Sequence, residues 1–597
     1  MLRPFCFWGI RKVDKGVSYL SLYPLVKKLS SRQGLKWTVL VFLLLVLPGI
    51  LAPYHSDDYF QLLLLGNHST LERHDGSLFG LFSFIDDVPA HRQQMQAYGV
   101  LPWFAAKDFS FRFWRPLAEL THWTDYRFFG VNPLSAHIHS VIWFLLLSAI
   151  VYQLARYTLP EKTTMPWLVF ILFLWDGQHV ANINWIANRN ALLAASFSML
   201  CLYAHMRWCD EKKILFLFVS VISWISALAS GELALGGFSF LFFYAVMLDK
   251  SGPLQGFMRI IPYMLVLMAW YYLYRQMGFG VNTSAGLYVD PVAEPLDFLS
   301  AVLRRIPVYF AASLLPVPSG FSWITGLKYA WLSQAFLLLS VVVSIGFIVF
   351  YREKIRRNHV LAFWLFSSIG ALLPVCSTMA QDRLALLQTV GMDVVLAMLI
   401  YPFIIGVVEC ARPEKWIAMS LVFIHVLLSP MHLFLGSVYM YWGANNILSN
   451  AMSFPENQWK DKNILAVRVP IGEAVALVGI REAMGQQKPK QFNWISNDEG
   501  VVKVTAMTNN RFLVEKSTGF ANGFESAFRS VKKEPFKESE KIPLGEVEII
   551  IKHINPEGYP DKIIIDLLQG EWLFYSYSDN HYFKVEMPRI GHSKIFN

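Results

Sequence analysis

The feature that most constrains this chain is a series of apolar runs of membrane-spanning length. The first, Lys36 to Ala52 (KWTVLVFLLLVLPGILA), is nearly free of charge. A helix crossing the hydrocarbon core needs about 17–25 apolar residues. Further runs fall near 134–155, 165–183, 190–207, 214–231, 233–249, 258–275, 329–351, 359–376, 385–408 and 416–436. Roughly eleven spans result by apolar length. With 55% hydrophobic and only 16% charged residues among 597, the chain is expected to form an all-α polytopic membrane bundle.

Loop charge tests this expectation. Arg3, Arg11, Lys12, Lys15, Lys27, Lys28, Arg32 and Lys36 precede or open the first run, which predicts a cytoplasmic N-terminus. No small-residue cleavage site follows that run, so it is read as a retained signal anchor. Arg156 and Lys162, Arg207 with Lys212 and Lys213, Lys250 and Arg259, the run Arg352–Arg357, and Arg412 with Lys415 all fall in loops predicted inside. An odd number of spans then puts the C-terminus outside. The apolar stretch Ile306–Val317 is short and contains prolines, and it reads as an interfacial or re-entrant helix.

Three regions follow: a cytoplasmic basic segment at 1–35, a transmembrane module at 36–436 with its first exported loop at 53–133, and an exported soluble domain at 437–597. A second exported loop covers about 276–328. The tail opens with a plausible helix after Pro470 and continues in β-type runs (VVKVTAM, RFLVEKS, EVEIIIKHI, DKIIIDL, EWLFYSY, YFKVEM). It is expected to be α+β, mostly β, with its aromatic strands as its own core. The compact loops suggest a bacterial inner membrane. The net charge of +9 is explained by cytoplasmic anchoring and does not imply nucleic acid. Cys6, Cys201, Cys209, Cys376 and Cys410 show no pairing or metal-ligand spacing.

Charged groups inside spans cost several kcal/mol, so their placement carries information. Here they gather at the outer span ends. Asp57-Asp58 follows the first span. Arg112, Arg115 and His122 precede the second, and His137 and His139 enter it. Asp176, His179, Asn182, Asn184, Asn188 and Arg189 surround the third-to-fourth turn. Glu232 sits in the fifth-to-sixth turn, and Asp382-Arg383 precede the tenth span. If the helices bundle, these ends converge on one cavity. Carboxylates beside arginines and histidines suit acid–base chemistry next to a phosphate. Plainer readings stand beside this one. An Asp pair outside a span is often a solvated boundary, and Asp86-Asp87 competes for the same role. Histidines entering a span are often interfacial donors. Asp393, deeper in the tenth span, reads as a bundle-stabilising group. The sequon Asn67-His68-Ser69 is too short a motif to weigh.

The segment Phe113-Trp114-Arg115-Pro116-Leu117, followed by Phe128-Phe129-Gly130-Val131-Asn132-Pro133 and His137, resembles a stretch of the GT-C membrane glycosyltransferases. It is nearest the branch of the protein O-mannosyltransferases and the transmembrane TPR O-mannosyltransferases. Trp185-Ile186-Ala187-Asn188-Arg189-Asn190-Ala191-Leu192-Leu193-Ala194 resembles that family's W-I-S-G-R-T-D-L-L-A. Ser230-Gly231-Glu232 resembles its S-K-E, and Asp382-Arg383-Leu384 its R-Y-L turn. The matches keep their order over about 50–400. Ala191 stands where the family has an acid, Gly231 where it has Lys, and Leu384 where it has Tyr. The TPR array is replaced by the β-rich tail.

The resemblance implies a polyprenyl-phosphate-linked sugar donor used on the exported side, with a glycan, lipid or protein acceptor and membrane lipids around it. It implies Asp57 as base, with Asp58 as its neighbour. Arg115, Arg189 and Arg383, with His137 in support, become candidates for the donor phosphate, and His179 and Glu232 line the cavity. No metal and no cofactor are expected. Because the family-like segments all precede the tail, the core chemistry is expected to survive its removal. A transporter or flippase of lipid-linked glycans, an envelope-assembly scaffold and an O-antigen-type polymerase are the alternatives.

Overall fold

A computed structural model describes residues 28, 30–66, 79–86, 88–160, 164–281, 288–405, 412–454 and 459–597. Most of the N-terminal basic residues, the sequon, Asp87, Lys162, Cys6 and Cys410 lie outside the described residues.

Each expected span has a helical counterpart, but the helices differ in length. Among the described residues, seven are long and apolar enough to cross a membrane: Arg32–Ile50, Pro133–Thr158, Pro253–Gln276, Ala330–Arg357, His359–Ser377, Leu386–Ile404 and Pro413–Met452. Met165–Leu174, Ile214–Ser230 and Ala234–Met247 are apolar but shorter. The expected span at 165–183 stops at Leu174 because Asp176 turns the chain, its carboxylate accepting from Gln178 N at 3.0 Å. Arg189–Glu211 has length for a span but opens on Arg189-Asn190 and closes on Asp210-Glu211. The last span runs through the expected boundary at 436 to Met452, with a π-helical turn at Phe423–Leu428. The stretch read as an interfacial helix belongs to Pro295–Ala312, which holds Arg305 against the Cys376 carbonyl at 2.6 Å.

Helix Leu386–Ile404 is the axis of the bundle, buried along almost its entire length against 165–174 and 359–371. Such burial on all sides explains why its sequence is apolar apart from Gln388, Thr389 and Asp393.

Beyond the first span, the chain forms helices Ser56–Leu65, Pro89–Ala97 and Pro116–Phe129. Strands β1 (Ser83–Ile85), β2 (Phe111–Arg112) and β3 (Gly280–Val281) form a small antiparallel sheet that joins the first loop to the second.

The tail holds two sheets. β4 (Asn463–Arg468), β5 (Gln491–Ser496), β11 (Trp572–Ser578) and β12 (His581–Lys584) lie in the order β12-β11-β4-β5. β4 is parallel to β5, and the helix Ile471–Ala483 supplies the crossover that a parallel pair requires. Both strands are buried throughout, as parallel strands covered on two faces are. The second sheet contains β6 (Val502–Ala506), β7 (Arg511–Lys516), β8 (Lys541–Pro543), β9 (Val547–Ile554), β10 (Pro560–Leu567) and β13 (Ser593–Phe596), in the antiparallel order β13-β6-β7-β10-β9-β8.

The tail is not the separate unit expected from the sequence. Its apolar core is continuous with Tyr54, Tyr59, Leu62, Trp103 and Phe104 of the first loop. Trp494 Nε1 donates to the Gly99 carbonyl and Trp103 Nε1 to the Ile495 carbonyl, each at 2.9 Å. Gly99 has φ of 69°, and a Cβ there would fall 2.6 Å from the Phe492 ring, so only glycine allows both the turn and the approach. Helix Ile471–Ala483 packs on helix Ser56–Leu65, with Gly479 facing Leu63. The element that follows the first span is therefore clamped between the bundle and the tail.

Candidate active site

Helix Ser56–Leu65 begins four residues after Ala52, and its first turn carries Asp57 and Asp58. The turn is closed by Asp58, whose Oδ2 accepts from His55 N at 2.8 Å in a capping arrangement. Its Oδ1 accepts from Ala187 N at 2.6 Å, across to the loop before helix Arg189–Glu211. Asp58 is 2% exposed. Burial lifts its pKa to about 7, against the pull of the two backbone donors. Asp58 is thus engaged on both oxygens and positions the turn rather than facing a ligand.

Asp57 is half-buried and aimed differently. Burial raises its pKa, and the charge opposing that rise is Arg383. Arg383 lies in the short 3-10 turn before helix Leu386–Ile404. Its Nε donates to Gln381 Oε1 at 2.6 Å, its Nη1 reaches Asn188 Oδ1 at 3.5 Å, and its guanidinium lies 4.9 Å from the centre of the Trp185 ring. Asn182 Nδ2 fixes the turn by donating to the Arg383 carbonyl at 2.9 Å. Among the described residues, no carboxylate stands within ion-pair distance of Arg383.

Arg115 shares this field with Arg383 and Tyr288. It caps helix Pro116–Phe129 and grips Glu232 Oε2 through Nε at 2.8 Å and Nη2 at 2.7 Å. Tyr274 donates to the other Glu232 oxygen at 3.0 Å. The Phe113 ring lies 4.3 Å from the guanidinium, and the Asn190 amide oxygen accepts from Nη1 at 3.1 Å. A Cβ at Gly231 would lie 3.6 Å from Arg115 Nε.

The other candidates lie elsewhere in the fold. Arg189 is fully buried, with its guanidinium occupied on every side. It pairs with Asp125 Oδ2 at 2.5 Å and donates to Ser140 Oγ at 3.0 Å and the Ala136 carbonyl at 2.8 Å. It ties helices Pro116–Phe129, Pro133–Thr158 and Arg189–Glu211 together, which does not fit the phosphate role expected for it. His137 is wholly buried beside Ala52 and Pro53, where the first span ends. His179 is wholly buried between the Phe173 carbonyl, 3.0 Å from Nδ1, and Thr389 Oγ1, 2.8 Å from Nε2. His179 is an internal fastener, whereas neither ring nitrogen of His137 has a hydrogen-bond partner among the described residues. Asp86 is 2.6 Å from His91 Nδ1 and accepts from Val88 N at the start of helix Pro89–Ala97.

The gathered set is therefore Asp57, Arg383, Arg115 and Glu232 of the expected residues, with Trp185, Asn188, Asn190, Tyr274 and Tyr288 beside them. Trp185, Asn188 and Asn190 lie inside the motif quoted above and could have been read from it. No local pattern marks Tyr274 or Tyr288. Among the described residues, no group of three His, Cys, Asp or Glu side chains could hold a metal ion.

No family model and no curated protein matches this chain. Solved structures that align with it include two of one protein. ArnT from Cupriavidus metallidurans in the apo state is 12% identical with a TM-score of 0.33, covering 74% of this chain and 84% of that one. The same protein bound to undecaprenyl phosphate is 10% identical with a TM-score of 0.36, covering 89% and 97%. Superpositions this loose do not fix the fold.

Proposed function

We propose that this chain is a membrane glycosyltransferase of GT-C type that moves a sugar from a polyprenyl-phosphate donor to a hydroxyl acceptor. The observation that carries the reading is the placement of Asp57 in the field of Arg383, beside the Trp185–Asn188 segment that the neighbouring Asp58 and Arg383 both contact. Among the described residues, Asp57 is a half-buried carboxylate with no hydrogen bond and Arg383 a guanidinium with no carboxylate partner. The motifs that resemble the GT-C family bring both residues to the same end of the bundle. The basic loops at the other end support a reading in which this site is exported, the N-terminus inside and the β-rich tail outside.

In this reading Asp57 takes the proton of the acceptor hydroxyl as that oxygen bonds to the anomeric carbon. The bond from that carbon to the donor phosphate breaks on the opposite face, inverting the centre. The electron pair leaves with the lipid phosphate, and Arg383 stabilises the growing charge. Arg115 is largely neutralised by Glu232, so it shapes the field and holds Glu232 in place. Asp58 orients Asp57 through the helix cap. The guanidiniums fill the part a metal would play, and the reading uses none.

The test is single-turnover transfer from a polyprenyl-phosphate sugar by purified Asp57→Asn. Transfer is expected to collapse while donor binding persists. Near-normal transfer would remove Asp57 as the base.

A further inference from the structure

At the far end of the bundle lies a cavity of about 350 Å³ lined by Met247, Ile348, Arg352, Ile355, Arg356 and His359, with Ala362 and Phe366 at its floor. Its distance from the site follows from one helix. Ala234–Met247 starts two residues after Glu232 and ends at the cavity wall. Its 14 residues put the two places roughly 20 Å apart at about 1.5 Å per residue.

The lining divides in two. Met247, Ile348, Ile355 and Phe366 form an apolar slot, and helix Ala330–Arg357 is among the least buried of the spans, so the slot opens on lipid. Arg352, Arg356 and His359 form a basic rim where the helix leaves the apolar zone. Glu353 balances part of that charge, lying 3.2 Å from Arg356 and 3.3 Å from Arg357. Arg352 is exposed and makes no ion pair among the described residues. Helix His359–Ala371 begins at the rim, so its positive end adds to the field.

We propose that this cavity binds an anionic glycerophospholipid, with its phosphate between Arg352 and Arg356 and one acyl chain in the slot beside Met247 and Phe366. A slot without the rim would take any lipid, and a rim without the slot would take any anion. Their juxtaposition selects a molecule that is apolar and anionic at once. The site is separate from the sugar-transfer reading and stands without it.

The test is lipid retention by the full-length protein in detergent, measured by native mass spectrometry and by thermal shift. The probes are phosphatidylglycerol, phosphatidylcholine and inorganic phosphate. Phosphatidylglycerol is expected to be retained and to raise Tm, and the other two to do neither. Arg352→Ala with Arg356→Ala should weaken its retention about 10- to 30-fold, whereas Arg357→Ala should change it less than about twofold. Met247→Trp fills the slot without changing charge and should also weaken retention. It decides the matter with Arg352→Gln if the double variant does not fold. Equal retention of phosphatidylcholine, stabilisation by inorganic phosphate alone, or unchanged retention in both Met247→Trp and Arg352→Gln overturns the proposal.

Discussion

Arg189 and Arg383 are both arginines drawn from outer span ends, and the fold treats them in opposite ways. Arg189 is enclosed by Asp125, Ser140 and the Ala136 carbonyl, so its charge is answered within the protein. Arg383 is braced by Gln381, Asn188 and Trp185 and, among the described residues, has no carboxylate partner. Burying a charge without answering it is costly, so an answered charge marks architecture and an unanswered one marks a place where something charged arrives. Asp57 and Asp58 repeat the contrast one residue apart. Asp58 holds two backbone N–H groups, and Asp57 is left to face Arg383.

The largest expected effect separates those two carboxylates. Asp57→Asn should lower single-turnover transfer by about 10²–10⁴-fold, the usual worth of a general base. Tm should stay close to that of the unmodified protein. Asp58→Asn should invert the pattern, with Tm falling first and transfer following it. If both variants lose transfer equally at equal Tm, the assignment of the base to one of them is wrong.

The same contrast shows how far sequence could reach. The apolar runs located the helices because the bilayer imposes a length and a composition. Asp57 was legible because it follows the first run directly. The fate of Arg189 was not legible, because the residue that claims it, Asp125, lies far off in sequence and only packing brings them together. Nor was the attachment of the tail. Nothing local marks Tyr59 and Leu62, yet they are buried in a core most of whose other members lie beyond Ala451. Alternation of apolar residues finds a strand but does not name its partner.

Arg189→Met tests the enclosed arginine. It leaves Asp125 with His139 as its remaining partner, 2.7 Å away, and should destabilise the bundle by at most about 3–5 kcal/mol. Replacing Asp125 by Leu as well should recover part of that loss in thermal or chemical unfolding. Arg383→Gln should barely move Tm but weaken binding of the donor phosphate by about 10- to 100-fold, the worth of a hydrogen bond to a charged group. Equal loss of stability in the two variants would erase the distinction.

A smaller effect is expected at the clamp between the tail and helix Ser56–Leu65. A Cβ on Gly479 would already lie 3.3 Å from Leu63 Cδ1. Gly479→Leu should therefore push on helix Ser56–Leu65 and cost about 1–3 kcal/mol by overpacking. Transfer should fall while donor affinity, which rests on Arg383, holds. Unchanged transfer with a clear loss of Tm would restore the expectation that the tail is dispensable for chemistry.

The smallest effect is a shift in pH dependence, and it tests whether Asp57 and Arg383 act as a pair. The base works only when ionised, so transfer should fall as pH drops through the Asp57 pKa. Burial raises that pKa, which moves the acid limb above the range of an ordinary aspartate, and Arg383 holds it back. Removing the guanidinium in Arg383→Gln therefore moves the limb further up, not down. Measured at saturating donor, the residual transfer of this variant should need a higher pH than the unmodified enzyme to reach half its maximum. The stability profile runs the other way for Asp58. Its pKa of about 7 in the fold exceeds that of the unfolded chain, so its contribution is fully present below the unfolded pKa and is lost as pH rises through about 7. An acid limb that stays in place in Arg383→Gln, or that tracks the unfolding profile instead of moving independently of it, would mean that the two charges do not share a site.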